Sequence, residues 1–473
     1  MPAEIKFGTD GWRAIIAEDF TFENVRYAAA GIASYINERG GARKGMVIGY
    51  DTRFLSKEFA EAVVEVLTAA GLKVYLCDKA APTPVISYNI ITHKAAGGVV
   101  ITSSHNSPEW NGLKYKPEYA GSSSPEINAA LELKIAAAQK TGKITRISLE
   151  KARESELLQT IDPDDDYIPH ILKLVDIDKI SNAGLNIIVD PMYGAGAGYL
   201  KKLIRGKTKV REIQGTRNPA FPGMKQPEPV AINLSKLMSA VPRIRADVGL
   251  ATDGDADRLG VVDEKGEFVT QLQTYGLLAY YVLEIRGERG PIVKSVTTTN
   301  MINRLGELYK VPVIETPVGF KFIAPIMMSQ KAIIGGEESG GYGFAGHIPE
   351  RDGVLSALYF LDLMVRTNKR PAQLLKELYK KVGPHYYDRL DIPFDSAKKD
   401  TVIQKAKVSP GSIGGVKVKN VNTLEGVRYL LEDGSWVMVR FSGTEPLVRI
   451  YCEASSLKRV KECLSEIKSY IGL

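Results

Sequence analysis

The residues best suited to chemistry are Asp253, Asp255 and Asp257 in DGDADR (253–258), three carboxylates at i, i+2 and i+4 after the apolar run VGLAT. On extended backbone alternate side chains share a face, so this spacing predicts that the three converge. Like charges held together need a cation, and hard oxygen ligands favour Mg²⁺ while also accepting Mn²⁺. An EF-hand loop is excluded. Glu264 does fall at position twelve from Asp253, but Arg258 stands at the sixth position, which requires Gly, and LGVVD reads as a strand. The plain alternative is a solvated turn rich in Asp.

A second candidate is ITSSHNSPEWNGLKYK (101–116), where an apolar strand delivers Ser104, His105 and Asn106 to its C-terminal end. That end is the usual ligand position in open α/β sheets. Ser104 beside His105 pairs a hydroxyl with a polar neighbour, although adjacency in sequence does not bring a base onto its nucleophile. A polar turn is the alternative. Two further segments suit anions: FGTDGWRA (7–14), with Arg13 beside a Gly-rich turn, and RFSGTEPLVRIY (440–451), with Arg440, Ser442, Gly443, Thr444 and Arg449. Backbone N–H groups, hydroxyls and guanidinium forks all hold phosphate well; solvated arginines are the bland reading. In GGEESGGYGFAGHIPERDG (335–353) the glycines allow close approach of backbone, and Glu337 and Ser339 can hydrogen-bond to hydroxyls. His347 in that segment is either a ligand contact or a loop residue. GAGAG (194–198) matches neither GxGxxG nor GxxxxGK[ST], so no nucleotide site is read there.

Positioning these groups falls to an α/β scaffold. Helices at 22–39 and 57–70 alternate with strands at 46–50, 72–77 and 99–101, which predicts parallel βαβ units. Thr21 suits an N-cap, and Gly71 suits the end of the second helix. The alternation restarts at LNIIVD (185–190), after the acidic stretch IDPDDDYIP (161–169), which is read as a boundary. A third round follows residue 266, with helices at 272–286, 300–309 and 320–328 between strands PIVK, VPVIE and AIIGG. Beyond a helix at 353–366 and KRPAQLLKELYKKVGP, the pattern changes to hairpins, with Asp433 and Gly434 at one turn, and a closing helix at 456–471. The expected fold is three similar α/β domains, residues 1–155, 156–265 and 266–376, followed by an α+β domain, 377–473.

Composition agrees with a folded chain of several domains: 473 residues, 44% hydrophobic and 25% charged. The 62 basic and 55 acidic residues leave a net charge of +7, too slight over this length to signal nucleic-acid binding. Cys77, Cys452 and Cys463 show neither CxxC nor zinc-finger spacing, so reduced thiols in a cytoplasmic protein are expected. The apolar windows at 277–285 and 354–365 fall short of the roughly 20 residues that a membrane span requires, and Glu284 and Asp362 interrupt them. No membrane partner is expected.

In chain order, FGTDGWR, TSSHN with NGLK, DGDADR, TPVGFK (316–321), GEESGG and RFSGTEP resemble the motifs of the α-D-phosphohexomutase family, over nearly the whole chain. The resemblance implies four domains around a central cleft. By matching positions, it implies that Ser104 carries a phosphoryl group and binds Mg²⁺ through it with Asp253, Asp255 and Asp257. Arg13, His105 and Lys114 then belong to the reacting centre, Lys114 as a proton carrier. Arg258, Thr316, Gly319, Lys321, Glu337, Ser339 and His347 are implied substrate contacts, and Arg440, Ser442, Gly443, Thr444 and Arg449 hold the phosphate that is not reacting. The implied activity interconverts hexose 1-phosphate and 6-phosphate, glucose ahead of mannose, with glucose 1,6-bisphosphate as activator, in a monomer or homodimer. Its rivals are a phosphoglucosamine mutase, a phosphotransferase that releases sugar 1,6-bisphosphate, and a noncatalytic sugar-phosphate sensor. Two departures stand out. Ser107 precedes Pro108 where many members read SHNP, and Ser339-Gly340-Gly341 replaces SGH, so the contact of that histidine is missing or falls to another group such as His347.

Overall fold

The computed structural model describes residues 4–8, 10–393, 399–441 and 447–473. Four sheets follow one another along the chain, and the first three are built alike. In the first, Gly97–Ile101, Met46–Tyr50, Val74–Cys77 and Leu158–Ile161 run parallel, and Trp110–Pro117 and Trp12–Ile15 complete one edge antiparallel. In the second, Val248–Thr252, Asn186–Asp190 and Lys209–Glu212 are parallel, and Leu259–Val262 folds back on Val248–Thr252. In the third, Val313–Thr316, Ile292–Ser295 and Ile334–Gly336 are parallel, and Tyr342–Phe344 folds back on Ile334–Gly336. Each unit therefore ends its parallel run in an antiparallel hairpin, which alternation of helix and strand alone does not reveal.

The central parallel strands are near-continuous apolar runs because helices cover both faces, whereas the edge strands Leu158–Ile161 and Lys209–Glu212 are partly exposed. Met46–Tyr50, Gly97–Ile101 and Val248–Thr252 are buried at every residue. Helix Phe22–Glu38 starts where the sequence places it: Thr21 is extended and its hydroxyl accepts from Asn24 N–H. Helix Ser56–Ala69 is followed by Gly71 at φ +78°, a left-handed turn that suits Gly. The acidic stretch read as a boundary runs into helix Asp164–Leu174, with Asp164, Asp165 and Asp166 in the first turn, where the helix dipole favours negative charge. The first sheet also takes its last parallel strand from Leu158–Ile161, past residue 155. The long helix read at 272–286 is α-helical over Gln271–Tyr280 and closes on a π-helical turn, Tyr281–Ile285.

The fourth sheet is antiparallel throughout, in the order Tyr386–Pro393, Leu447–Ala454, Trp436–Phe441, Val427–Leu431, Val416–Asn422, Ser412–Ile413, and helix Leu457–Ile471 packs on it. Asp433 and Gly434 make the expected turn, with Gly434 at φ +87°. One buried apolar cluster runs through the first three sheets, whereas the fourth has a cluster of its own. A small patch of Val296, Trp436, Met438 and Tyr451 joins the two bodies. All three cysteines are buried and unpaired, and no helix among the described residues is long and apolar enough to cross a membrane. Replacing Thr21 by Ala removes the cap of Phe22–Glu38, and urea unfolding should show a loss of about 1 kcal/mol.

Candidate active site

Each hairpin of the first three sheets presents one of the segments singled out from sequence. The turn between Gly97–Ile101 and Trp110–Pro117 carries Ser104, buried and left-handed at φ +51°. The turn between Val248–Thr252 and Leu259–Val262 carries Asp253, Asp255 and Asp257, all with no exposed surface. The two turns meet: Ser104 Oγ donates to Asp253 Oδ2 at 2.7 Å and lies 3.3 Å from His105 Nδ1. Gly254 permits this closeness, since a Cβ there would come within 2.3 Å of the Ser104 carbonyl oxygen.

The aspartates converge for a different reason from the one expected. They sit on a tight turn, not on extended backbone: Ala256 N–H donates to the Asp253 carbonyl, Ala256 is left-handed at φ +54°, and Asp253 Oδ1 caps the N–H groups of Asp257 and Arg258. One carboxylate oxygen from each lies within 4.8 Å of the others. Asp255 Oδ1 and Asp257 Oδ1 are buried without a hydrogen-bond partner. Buried, unpartnered carboxylate oxygens beside one another are what a hard divalent cation coordinates, so the residues present fit Mg²⁺.

Cations surround the trio. Lys114 Nζ lies 2.7 Å from Asp255 Oδ2, 3.1 Å from Asp257 Oδ2 and 2.7 Å from Asp10 Oδ2. Arg351 reaches Asp257 at 2.7 Å, Asp10 at 2.6 Å and Glu337 at 3.4 Å. Arg258 pairs with Glu228 at 3.0 Å and lies 3.9 Å from Asp253 and 3.8 Å from Asp257. Burial, then the charges of Asp257 and Asp255, push the Asp253 carboxyl well above its ordinary range. Burial also acts to raise Asp255, but Lys114 and the hydroxyl of Thr83 outweigh it and hold that carboxyl low. Burial would lower Lys114, yet Asp10, Asp255 and Asp257 together raise it. Burial, reinforced by Arg258 and Arg13, keeps His105 well below its ordinary value and so neutral. Arg13 donates to Asn106 Oδ1 at 2.7 Å, tying FGTDGWRA to the serine turn.

Glu337 occupies the third hairpin turn, buried, with its carboxyl raised by burial, and the buried Ser339 Oγ has no hydrogen-bond partner. Thr316 ends Val313–Thr316, Gly319 precedes helix Phe320–Gln330 at φ +125°, and Lys321 Nζ donates across to the Gly8 carbonyl at 3.4 Å. In the fourth sheet Arg440 and Arg449 are cross-strand partners. Arg440 pairs with Glu425 at 2.6 Å, and Arg449 Nε lies 3.8 Å from Asp391. Ser442, Gly443 and Thr444 lie outside the described residues.

His347 is not a substrate contact in this arrangement. Its side chain is fully buried, Nε2 bonds to Asp352 Oδ2 at 3.0 Å, Nδ1 meets His170 Nε2 at 3.0 Å, and the ring stacks near Tyr88 and His170. The space over Gly341 is filled instead by the stem of Arg351, whose Cδ would stand 2.2 Å from a Cβ at that glycine. Ser107 before Pro108 also has a place, its carbonyl accepting from Arg53 at 2.9 Å and its hydroxyl donating to Glu109 at 2.6 Å. Residues that sequence reading passed over are Asp10, Lys116, Glu350 and Arg351. Asp10 lies inside FGTDGWR, and Glu350 and Arg351 lie inside the quoted Gly-rich segment. Only the pairing of Lys116 with Glu350, 2.5 Å apart and 234 residues distant along the chain, left no local trace. A cavity of about 510 Å³ between the third and fourth sheets, lined by Asn300, Arg304, Glu315, His385 and Arg428 among others, holds none of the predicted site residues.

A hydroxyl, buried acids and guanidinium groups, brought together by equivalent turns of repeated α/β units, are the kinds of group that phosphoryl transfer draws on, and they fit the class of intramolecular phosphotransferases. Phosphoglucomutase/phosphomannomutase models match domains I, II and III (alpha/beta/alpha) at residues 4–142, 165–266 and 272–382, and the C-terminal domain at 394–469; the chain belongs to that family of phosphohexomutases. A phosphoglucomutase/phosphomannomutase of Thermococcus kodakarensis is 30% identical over 460 residues, covering 97% of this chain and 96% of that one. A phosphoglucosamine/phosphogalactosamine mutase of Sulfurisphaera tokodaii is 29% identical, with 98% of each chain covered. The crystal structure of a Thermus thermophilus protein, assigned as a phosphomannomutase, superposes with a TM-score of 0.87 at 35% identity over the whole of both chains.

The histidine cluster generates a prediction. Burial, and then the neighbouring His347, lower His170 to about 4, against about 6.5 when unfolded. The unfolded chain thus binds this proton more readily, and the stability contributed by neutral His170 is present above pH 6.5 and lost as pH falls toward 4. His170→Gln should lower the thermal midpoint at pH 7, and its difference from the unsubstituted protein should shrink by about pH 4.5.

Proposed function

We propose that the protein interconverts hexose 1-phosphate and hexose 6-phosphate, with glucose the favoured sugar, through a phosphorylated Ser104 and a hexose 1,6-bisphosphate. The observation that carries this reading is the 2.7 Å contact of Ser104 Oγ with Asp253 inside the buried aspartate trio. Asp253, Asp255 and Asp257 would hold Mg²⁺, which when bound offsets charge on the transferring phosphoryl group. Ser104 Oγ gives up the phosphoryl group to one sugar hydroxyl, whose proton passes to the freed serine oxygen, and the reverse exchange recovers the other phosphate once the sugar has turned over. Lys114, Arg258 and Arg351 bring fixed positive charge to that transfer. Ser339, whose buried Oγ has no partner, and Glu337, held by Arg351, orient sugar hydroxyls, and Arg440 and Arg449 receive the phosphate that is not reacting. Glucose 1,6-bisphosphate primes the serine.

The sugar itself is open to direct comparison, and relatives named for glucose, mannose and hexosamine phosphates define the panel. Assay of the three 1-phosphates with catalytic bisphosphate should give the highest kcat/KM for glucose. Labelled phosphate accumulating in free bisphosphate would instead favour the net phosphotransferase.

Incubation with glucose 1,6-bisphosphate should add a single phosphate by intact-protein mass spectrometry, and Ser104→Ala should abolish it together with mutase activity; a persisting phosphate on that variant would rule out Ser104. Arg440→Ala should raise KM for hexose phosphate on the order of tenfold to a hundredfold, the effect of losing a charge-assisted hydrogen bond, while Ser104 still takes up phosphate at saturating bisphosphate. Unchanged KM would remove Arg440 from the phosphate site.

A further inference from the structure

The segment Asp51-Thr52-Arg53, just after strand Met46–Tyr50, belongs to none of the groups assigned above, yet both polar ends of the Ser104 backbone trace back to it. On the carbonyl side, the fully buried Arg53 guanidinium donates to the backbone oxygens of Ser104 at 2.7 Å, Asn106 at 2.5 Å, Ser107 at 2.9 Å and Trp110 at 3.1 Å. On the amide side, Ser104 N–H donates to Thr102 Oγ1 at 2.8 Å, and that hydroxyl donates to Asp51 Oδ2 at 2.6 Å. Asp51 closes the circuit: Oδ2 lies 3.4 Å from Arg53 Nε, and Oδ1 accepts from the Arg53 N–H and the Ser56 hydroxyl.

Such a frame has something to hold. Ser104 is left-handed at φ +51°, a backbone that a residue with a Cβ keeps only where its surroundings impose it. A trans peptide points its C=O and N–H in opposite directions, so drawing the Ser104 and Asn106 carbonyls to Arg53 turns the N–H groups of His105 and Ser107 away from it. Neither N–H donates to another group among the described residues. The frame also meets the unit that carries the aspartates. Thr52 Oγ1 donates to the Tyr193 carbonyl at 2.9 Å, Arg217 donates to the Thr52 carbonyl at 2.9 Å and the Arg53 carbonyl at 3.0 Å, and the Phe221 ring lies 5.0 Å from the Arg53 guanidinium.

We propose that the Asp51–Arg53 pair is the positioning device of the transfer centre, fixing both the strained conformation of Ser104 and the seat of its turn against the aspartate-bearing unit. The proposal rests on the reading of Ser104 as the phosphoryl carrier. A lysine at 53 keeps the charge but lacks the fork that serves four carbonyls, and a valine at 102 keeps the volume but breaks the relay to Asp51.

The full chain with Mg²⁺ and glucose 1,6-bisphosphate provides the test, by quenched intact-mass measurement of the rate at which Ser104 takes up phosphate. Arg53→Lys should slow uptake about a hundredfold, the scale of a misplacement near 1 Å, and Thr102→Val should slow it about tenfold. The bisphosphate concentration for half-maximal rate should move less than about threefold in both, because contacts to the ligand are untouched. Uptake at the unsubstituted rate in Arg53→Lys overturns the proposal, as does a loss that merely tracks the unfolded fraction in a thermal melt. Thr102→Val decides the matter if Arg53→Lys does not fold. No phosphate on Ser104 of the unsubstituted protein defeats the parent reading and this one together, whereas normal uptake in both the unsubstituted protein and the variants defeats positioning alone.

Discussion

Three carboxylates buried on one turn impose the constraint that the rest of the molecule answers. Removing ionised groups from water costs several kcal/mol each unless opposite charge and hydrogen bonds compensate. The compensating cations are drawn from separate parts of the chain: Lys114 from the first sheet, Arg258 from the aspartate turn itself, and Arg351 from the segment after the third hairpin. Asp10, which meets both Lys114 and Arg351, carries that charge network on into the N-terminal segment. The site therefore exists only where three α/β units meet, and its electrostatics are a property of their packing.

The same constraint explains why the reactive groups occupy hairpin turns. A parallel strand ends at the open edge of its sheet, where ligands bind in α/β folds. Turning back at once on an antiparallel partner shortens the loop and pins it at both ends, which suits groups that must be held to within fractions of an ångström. Serine, aspartates and the Glu337 turn sit at corresponding corners of three successive units. Trp436–Phe441 and Leu447–Ala454 pair antiparallel in the fourth sheet with Arg440 and Arg449 opposite each other, a variation on the same device.

Much of this arrangement was legible in the chain. Apolar runs before TSSHN, DGDADR and GEESGG located the strands, Thr21 and Gly71 marked helix ends, and Asp433-Gly434 marked a turn. The hairpins were hidden, because LGVVD reads as a strand without declaring which neighbour it joins or in which direction, and NGLKYK was read only as part of the segment after Ile101. The acidic run at 162–166 was read as a boundary without the helix it opens, because charge signals both solvated loops and helix N-termini. His347 illustrates the limit at the site: a histidine in a Gly-rich loop has the chemistry of a ligand contact, and only the positions of His170 and Asp352, 177 residues away and 5 residues away, show both ring nitrogens engaged. Arg53 was missed for the converse reason, since four backbone carbonyls leave no signature in side-chain types.

The seam at Val296, Trp436, Met438 and Tyr451 is small beside the two apolar interiors it joins, and pairs such as Arg428 with Glu315 and Asn300 N–H with Glu453 extend it. A three-sheet body with a continuous apolar interior, joined to a C-terminal unit with its own, has two cores, the arrangement in which two-state unfolding is least assured. Any ligand that touched both bodies would weld them for as long as it stayed bound, adding to the resilience of both through mass action.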